Sequence, residues 1–197
     1  MTGVTLASKS AARVQLLAGA GLTFETVGSG VDEDAAKARL LADDAGPRDI
    51  AQALAETKAL VVSTRRPGLI IGADQTLDLD GSLFDKVTCV DEAQHRLERL
   101  RGREHQLHSG VAVARDGVVI WRETQSASLT MRDFSDAFLL AYLARNGEAV
   151  LSSVGCYQLE GEGLQLFEQI AGDYFTILGL PMLGLLALLR REGVIAA

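Results

Sequence analysis

Two rhythms of apolar residues run along this chain. Short runs such as Val4-Thr5-Leu6-Ala7, residues 24–27 and Leu69-Ile70-Ile71 predict strands. The last is continuous, as in a strand buried on both faces. Helical spacing marks residues 11–20, where Val14, Leu16, Leu17 and Ala20 are broadly compatible with a buried side, and residues 47–63, where Ile50, Ala53, Leu54, Leu60 and Val61 recur. Ser10 is placed to cap the first of these helices and Pro47 to open the second. Residues 91–101 predict a helix with an acidic first turn and a basic last turn, closed by Gly102. Residues 136–145 and 182–191 predict two more, one begun by Ser135, the other preceded by Gly179-Leu180-Pro181. Alternation at Val111, Val113, Val118 and Ile120 predicts two strands around Arg115-Asp116-Gly117, and residues 121–131 continue as a long strand. Residues 164–170 read as a short strand or helix.

The stretch richest in chemistry follows the Leu69 run. Gly72 and Ala73 are too small to obstruct anything approaching the backbone, and then comes Asp74, with Gln75 and Thr76 behind it. Strand-like alternation resumes at Leu77-Asp78-Leu79 and ends in the turn pair Asp80-Gly81. Asp74 thus reads as an acid at the end of a buried strand. It either caps a turn or faces a ligand. The opening strand leads through Ser8-Lys9-Ser10 into a helix N-terminus, a generic anion site to which Lys9 and Arg13 add charge. Asp32-Glu33-Asp34 is a solvated helix start or a set of oxygen ligands for a divalent cation. Lys58, among the apolar positions of the 47–63 helix, fits a snorkelling side chain better than a ligand contact. Lys86 follows the short hydrophobic piece Leu83-Phe84. Residues 155–163 form a Gly-rich loop that lacks a Walker lysine.

Length and charge narrow the classes. The 197 residues suit one domain, with two lobes at most, and 48% apolar content supports a large core. A net charge of -7 argues against a partner that is a nucleic-acid polymer or a membrane surface. Cys89 and Cys156 read as buried free thiols without metal-ligand spacing. His105 and His108 point to opposite faces of an extended stretch and find no third ligand. The N-terminus lacks the pattern of a signal peptide, so a cytoplasmic protein is expected.

Six segments, in order, resemble the Maf family of nucleoside triphosphate pyrophosphatases over nearly the whole chain. They are Leu6-Ala7-Ser8-Lys9-Ser10-Ala11-Ala12-Arg13, Val31-Asp32-Glu33, Leu54-Ala55-Glu56-Thr57-Lys58-Ala59, Ile71-Gly72-Ala73-Asp74-Gln75, Asp85-Lys86 and Gly179-Leu180-Pro181. The resemblance implies a single α/β domain spanning residues 1–197. Its fold would be a long twisted mixed sheet flanked by helices, with two lobes around a cleft, similar to the inosine triphosphatases. It implies hydrolysis of a nucleoside triphosphate to the monophosphate and pyrophosphate, clearing modified or noncanonical nucleotides from the pool. A divalent metal, Mg2+ or Mn2+, and a homodimer are implied with it. By the same resemblance Asp74 is the proton acceptor for the attacking water, and Glu33 and Asp74 hold the metal. Ser8, Ser10, Arg13, Lys58 and Lys86 contact the phosphates.

Ala12, Gln75 and Glu160 bear on the base. Gln75 with Glu160 resembles the subgroup that prefers 7-methyl-GTP, and a carboxylate at Glu160 can accept from the N1–H and amino group of a guanine edge. Ala12 departs from the family, which usually has a cation there, or an aromatic in that subgroup. The alternatives are the subgroup taking dTTP and UTP, a nucleotide-binding protein linked to septum formation and division arrest, and a hydrolase of another phosphate ester.

Overall fold

A computed structural model describes residues 3–196. The chain runs β1 (Val4–Leu6), α1 (Ala11–Gly19), β2 (Glu25–Thr26), α2 (Glu33–Ala42), α3 (Pro47–Ser63), β3 (Leu69–Leu79), β4 (Ser82–Phe84), α4 (Val90–Leu100), β5 (Glu104–Arg115) and β6 (Val118–Met131). It continues through α5 (Asp136–Asn146), two short 3₁₀ helices (Gly147–Ser152 and Glu162–Leu166), β7 (Phe167–Ala171), α6 (Tyr174–Ile177) and α7 (Met182–Arg191). The seven strands form one mixed, open sheet in the order β2-β1-β3-β5-β6-β7, with β4 paired to β3. β1 is parallel to both β2 and β3, whereas β4 and β7 pair antiparallel with β3 and β6. The expectation of an α/β fold with a mixed sheet and flanking helices holds.

Both predicted Asp-Gly turns close hairpins. Asp80 and Gly81 sit at φ 54° and 80°, and Asp116 and Gly117 at 51° and 78°. Two successive positive φ values match the twist of the strands they join, and Asp and Gly tolerate them. Residues 118–131 form one strand, longer than the sequence pattern suggested.

The main departure is β3. It runs unbroken for 11 residues, and Asp74 lies in its middle rather than at its end. Gly, Ala and Asp have weak strand propensity, which is why the sequence suggested an interruption. β1 pairs only with residues 69–71 and β4 with residues 77–79, so β5 is the neighbour that overrides it between them.

Two compact units share the chain. The first takes the residues up to 75, 108–126 and from 173 onward; the second takes 76–107 and 127–172. In the first, Leu6, Leu69, Ile71, Val111 and Val113 from the sheet pack with Leu17 of α1 and Leu185 and Leu189 of α7. On the opposite face lies α3, whose Ala55 and Ala59 meet Ala112 and Ala114. This contact is close because two strand residues lack side chains. A Cβ on Gly72 would lie 2.1 Å from the Ala55 carbonyl oxygen, and one on Gly110 would lie 2.5 Å from that of Ala51. In the second unit α4 and α5 bury Leu97, Leu100, Leu139 and Tyr142. His105 is buried there too, 2.7 Å from the Tyr157 hydroxyl through Nε2. Cys156 is buried and free, as expected. Cys89 is free but exposed, because it precedes α4 at its solvent-facing start.

Candidate active site

The close seating of α3 on β3 brings the first functional group together. Ile70, Gly72 and Asp74 alternate onto one face of β3. On α3, Ala51, Ala55, Lys58, Ala59 and Val62 form the buried stripe. Because Ala55 and Ala59 sit over Gly72, the next position along each element matches Lys58 with Asp74. The Lys58 ammonium lies 2.7 Å from Asp74 Oδ1 and 2.8 Å from Glu33 Oε1. Lys58 therefore does not snorkel: it is 6% exposed and Asp74 7%. Burial on this scale is tolerated only for paired charges. Glu33 arrives from the first residue of α2, behind the N-cap Asp32, whose carboxylate accepts from the Ala35 amide at 3.0 Å. Its side chain stays 41% exposed, so one carboxylate of the cluster opens to solvent.

The second group surrounds α1. Ser10 caps the helix by accepting from the Arg13 amide, and Ser8 accepts from the Ser10 amide at 3.2 Å. Arg13 is buried. Its Nε donates to the Gly179 carbonyl at 2.8 Å, and Nη1 to the Ala73 carbonyl at 2.9 Å and to Ser8 Oγ at 3.3 Å. Burial lowers the Arg13 pKa from its ordinary value, and the Asp74 and Glu33 carboxylates oppose that shift. Ala12 is half-buried beside it.

Gln75 faces the other side of β3 from Asp74. Its Nε2 lies within hydrogen-bonding distance of Ser109 Oγ (2.9 Å) and of the Thr176 and Ile177 carbonyls (3.1 and 2.9 Å). Ser109 also donates to Thr176. Gln75 and Arg13 together hold the segment 176–179, and a Cβ on Gly179 would lie 3.4 Å from the guanidinium. Asp74 is thus flanked in sequence by two anchored neighbours, Ala73 through its carbonyl and Gln75 through its side chain. Sequence reasoning missed Ser109 and Thr176, since a buried hydroxyl carries no mark in the sequence.

Lys86 lies exposed in the coil after β4, and Glu160 lies exposed in a turn before the second 3₁₀ helix; both belong to the second unit. Among the described residues, no group of three or more His, Cys, Asp and Glu is placed to hold a metal. His108 is occupied by Ser126.

The mixed α/β sheet and its helices bring together Lys58, Asp74 and Glu33, three of the residues on which the resemblance rests. Residues 3–192 match the family described as Maf-like protein. The chain belongs to the Maf family. It is 64% identical over 195 residues to a nucleoside triphosphate pyrophosphatase of Caulobacter vibrioides, covering 99% of this chain and 98% of that one. It is 50% identical over 190 residues to a 7-methyl-GTP pyrophosphatase of Brucella abortus, and 51% identical over 191 residues to one of Rhizobium johnstonii, each covering 96% of both chains.

Proposed function

We propose that this protein hydrolyses a nucleoside triphosphate to the monophosphate and pyrophosphate, and that its nucleotide is a modified one such as 7-methyl-GTP. The observation that carries the reading is the buried Lys58 joined to both Asp74 and Glu33. Relatives named nucleoside triphosphate pyrophosphatase and 7-methyl-GTP pyrophosphatase support it.

Cleavage between the α and β phosphates needs water to attack the α-phosphorus and give up a proton, while the bridging oxygen leaves with pyrophosphate. In this reading Asp74 takes that proton on a carboxylate oxygen. Lys58 and Lys86 meet phosphate oxygens as point charges. Ser8, Ser10 and the start of α1 supply hydroxyls and amides to the same anion. Arg13 is already bonded to three acceptors and holds this loop rather than reaching out of it. By the resemblance, Glu160 accepts from the guanine edge, and Gln75 and Ala12 bear on the choice of base.

Glu33 and Asp74 both reach the Lys58 ammonium, and by the resemblance the same two carboxylates would hold Mg2+ or Mn2+, whose shell phosphate and water would complete. Bound there, it would neutralise phosphate charge and ease deprotonation of the water. The same resemblance leads us to propose a cytoplasmic homodimer. The net charge of -7 argues against a nucleic-acid polymer as the substrate.

The test is a panel of 7-methyl-GTP, UTP, dTTP and ITP with Mg2+ or Mn2+, read by pyrophosphate release. Asp74→Asn should abolish release, and full turnover by that variant would remove Asp74 as the proton acceptor. Preference for UTP or dTTP would overturn the choice of base. Orthophosphate as product, or binding without hydrolysis, would overturn the reaction.

A further inference from the structure

The coil between β4 and α4 is tethered on both sides of Lys86, and both tethers come from one face of α4. Arg96 Nη2 donates to the carbonyl of Asp85, the residue before Lys86, at 2.8 Å. Its guanidinium carbon sits 4.5 Å from the centre of the Phe84 ring, two residues before Lys86. Its Nη1 donates to the Val154 carbonyl at 2.5 Å, at the start of the loop that carries Glu160. Four residues earlier on the helix, Glu92 Oε2 accepts from the Thr88 amide at 2.7 Å and from the Thr88 hydroxyl at 3.0 Å. Positions four apart share a helix face, so Glu92 and Arg96 grip the coil after and before Lys86.

A lysine is a flexible point charge with a large rotamer entropy. Its use against a phosphate improves when the backbone beneath it is already ordered, since less freedom is lost on binding. Phe84 is buried, and Arg99 also covers its ring at 4.4 Å, so the start of the coil is seated as well as tied. An arginine is suited to this task because its planar fork reaches two carbonyls while its face stacks on a ring.

We propose that Arg96, assisted by Glu92, is a positioning residue that holds the coil bearing Lys86 in place for the substrate triphosphate. The inference rests on the assignment of Lys86 to the phosphates.

The experiment is a double-mutant cycle between Arg96→Gln and Lys86→Gln. It is read by kcat/KM for 7-methyl-GTP with Mg2+, by the calorimetric Kd of its α,β-methylene analogue, and by hydrogen exchange at amides 85–88. Arg96→Gln should lower kcat/KM and weaken analogue binding by about tenfold, within the range that misplacement of a contact produces. Exchange at 85–88 should accelerate while exchange in β1 and α1 stays unchanged. In the Lys86→Gln background the same substitution should change kcat/KM and Kd less than twofold, because Arg96 acts through Lys86.

Arg96→Lys keeps the charge but cannot reach both carbonyls, and should move the same readouts in the same direction. It carries the test if Arg96→Gln fails to fold. A folded variant with exchange, kcat/KM and Kd within twofold of the unsubstituted protein overturns the proposal. So does a loss that multiplies in full with that of Lys86→Gln, or a Lys86→Gln protein that binds the analogue unchanged. A protein that binds the analogue but releases no pyrophosphate defeats the proposed reaction alone, and the Kd cycle then decides the role of Arg96.

Discussion

Gly72→Ala tests the contact that assembles the acid–lysine cluster. The added Cβ would lie 2.1 Å from the Ala55 carbonyl oxygen, 2.5 Å from the Ala59 amide nitrogen and 2.9 Å from the Ala59 Cβ. Ordinary contact starts near 3.4 Å, so α3 must lift by about 1 Å, and its backbone offers no side-chain rotamer to give way. Overpacking of this kind costs about 1–3 kcal/mol, and the upper end applies where the obstacle is helix backbone. The lift acts directly on Lys58, which lies between Ala55 and Ala59 on the same stripe and reaches Asp74 at 2.7 Å. A misplacement near 1 Å lowers turnover by as much as about 100-fold. Urea unfolding reports the stability and pyrophosphate release reports the turnover. Gly46→Ala, with nothing within 4 Å of the added atom, serves as the control. A Gly72→Ala protein as stable and as active as the Gly46→Ala control would refute the idea that close seating of α3 builds the site.

Three further outcomes are expected. Lys58→Met leaves Asp74 buried without its cation and should cost about 3–5 kcal/mol, and Asp74→Asn in the same chain should recover part of it; a coupling near zero in that cycle would show that the pair is not joined in solution. Arg13→Lys cannot serve the Gly179 and Ala73 carbonyls and Ser8 Oγ together. Each buried carbonyl left unpaired costs about 1–3 kcal/mol, and unchanged urea stability would contradict this. His105 is 1% exposed, its Nδ1 has no hydrogen-bond partner among the described residues, and burial depresses its pKa from 6.5 to about 4. Because the unfolded chain takes up the proton first, this group's contribution is present above pH 6.5 and is lost as pH falls toward 4, by about 3 kcal/mol in all. The stability difference between the protein and His105→Leu should therefore shrink over that window; a constant difference, or an imidazole titrating near 6.5 by NMR, would sink the argument.

The chain's local chemistry determined the elements. Ser10 as an N-cap, Pro47 at the first turn of α3, the two Asp-Gly turns and the Gly-Leu-Pro break act within a few residues of themselves, so each is visible in sequence order. The same order of segments carried the family. Placement across the fold was a different matter. Asp74 reads locally as the end of a strand, because Gly72 and Ala73 weaken the pattern, yet β3 continues through it beside β5. Lys58 reads as a solvent-seeking lysine, and becomes a buried one only because two acids from α2 and β3 reach its ammonium.

Gln75 reads as a specificity mark, and its amide proves to be occupied by Ser109 and the backbone of 176–177. Cys89 looks like any other apolar-chain cysteine, and is exposed because the start of α4 faces outward. Arg96 has no signature at all, since its value lies in two carbonyls and a ring that are distant in sequence. Propensity and capping energies are short-ranged and can be read along the chain. The burial of a charge, and the acceptor a side chain finds, depend on which strand or helix arrives beside it, and only the folded arrangement decides that.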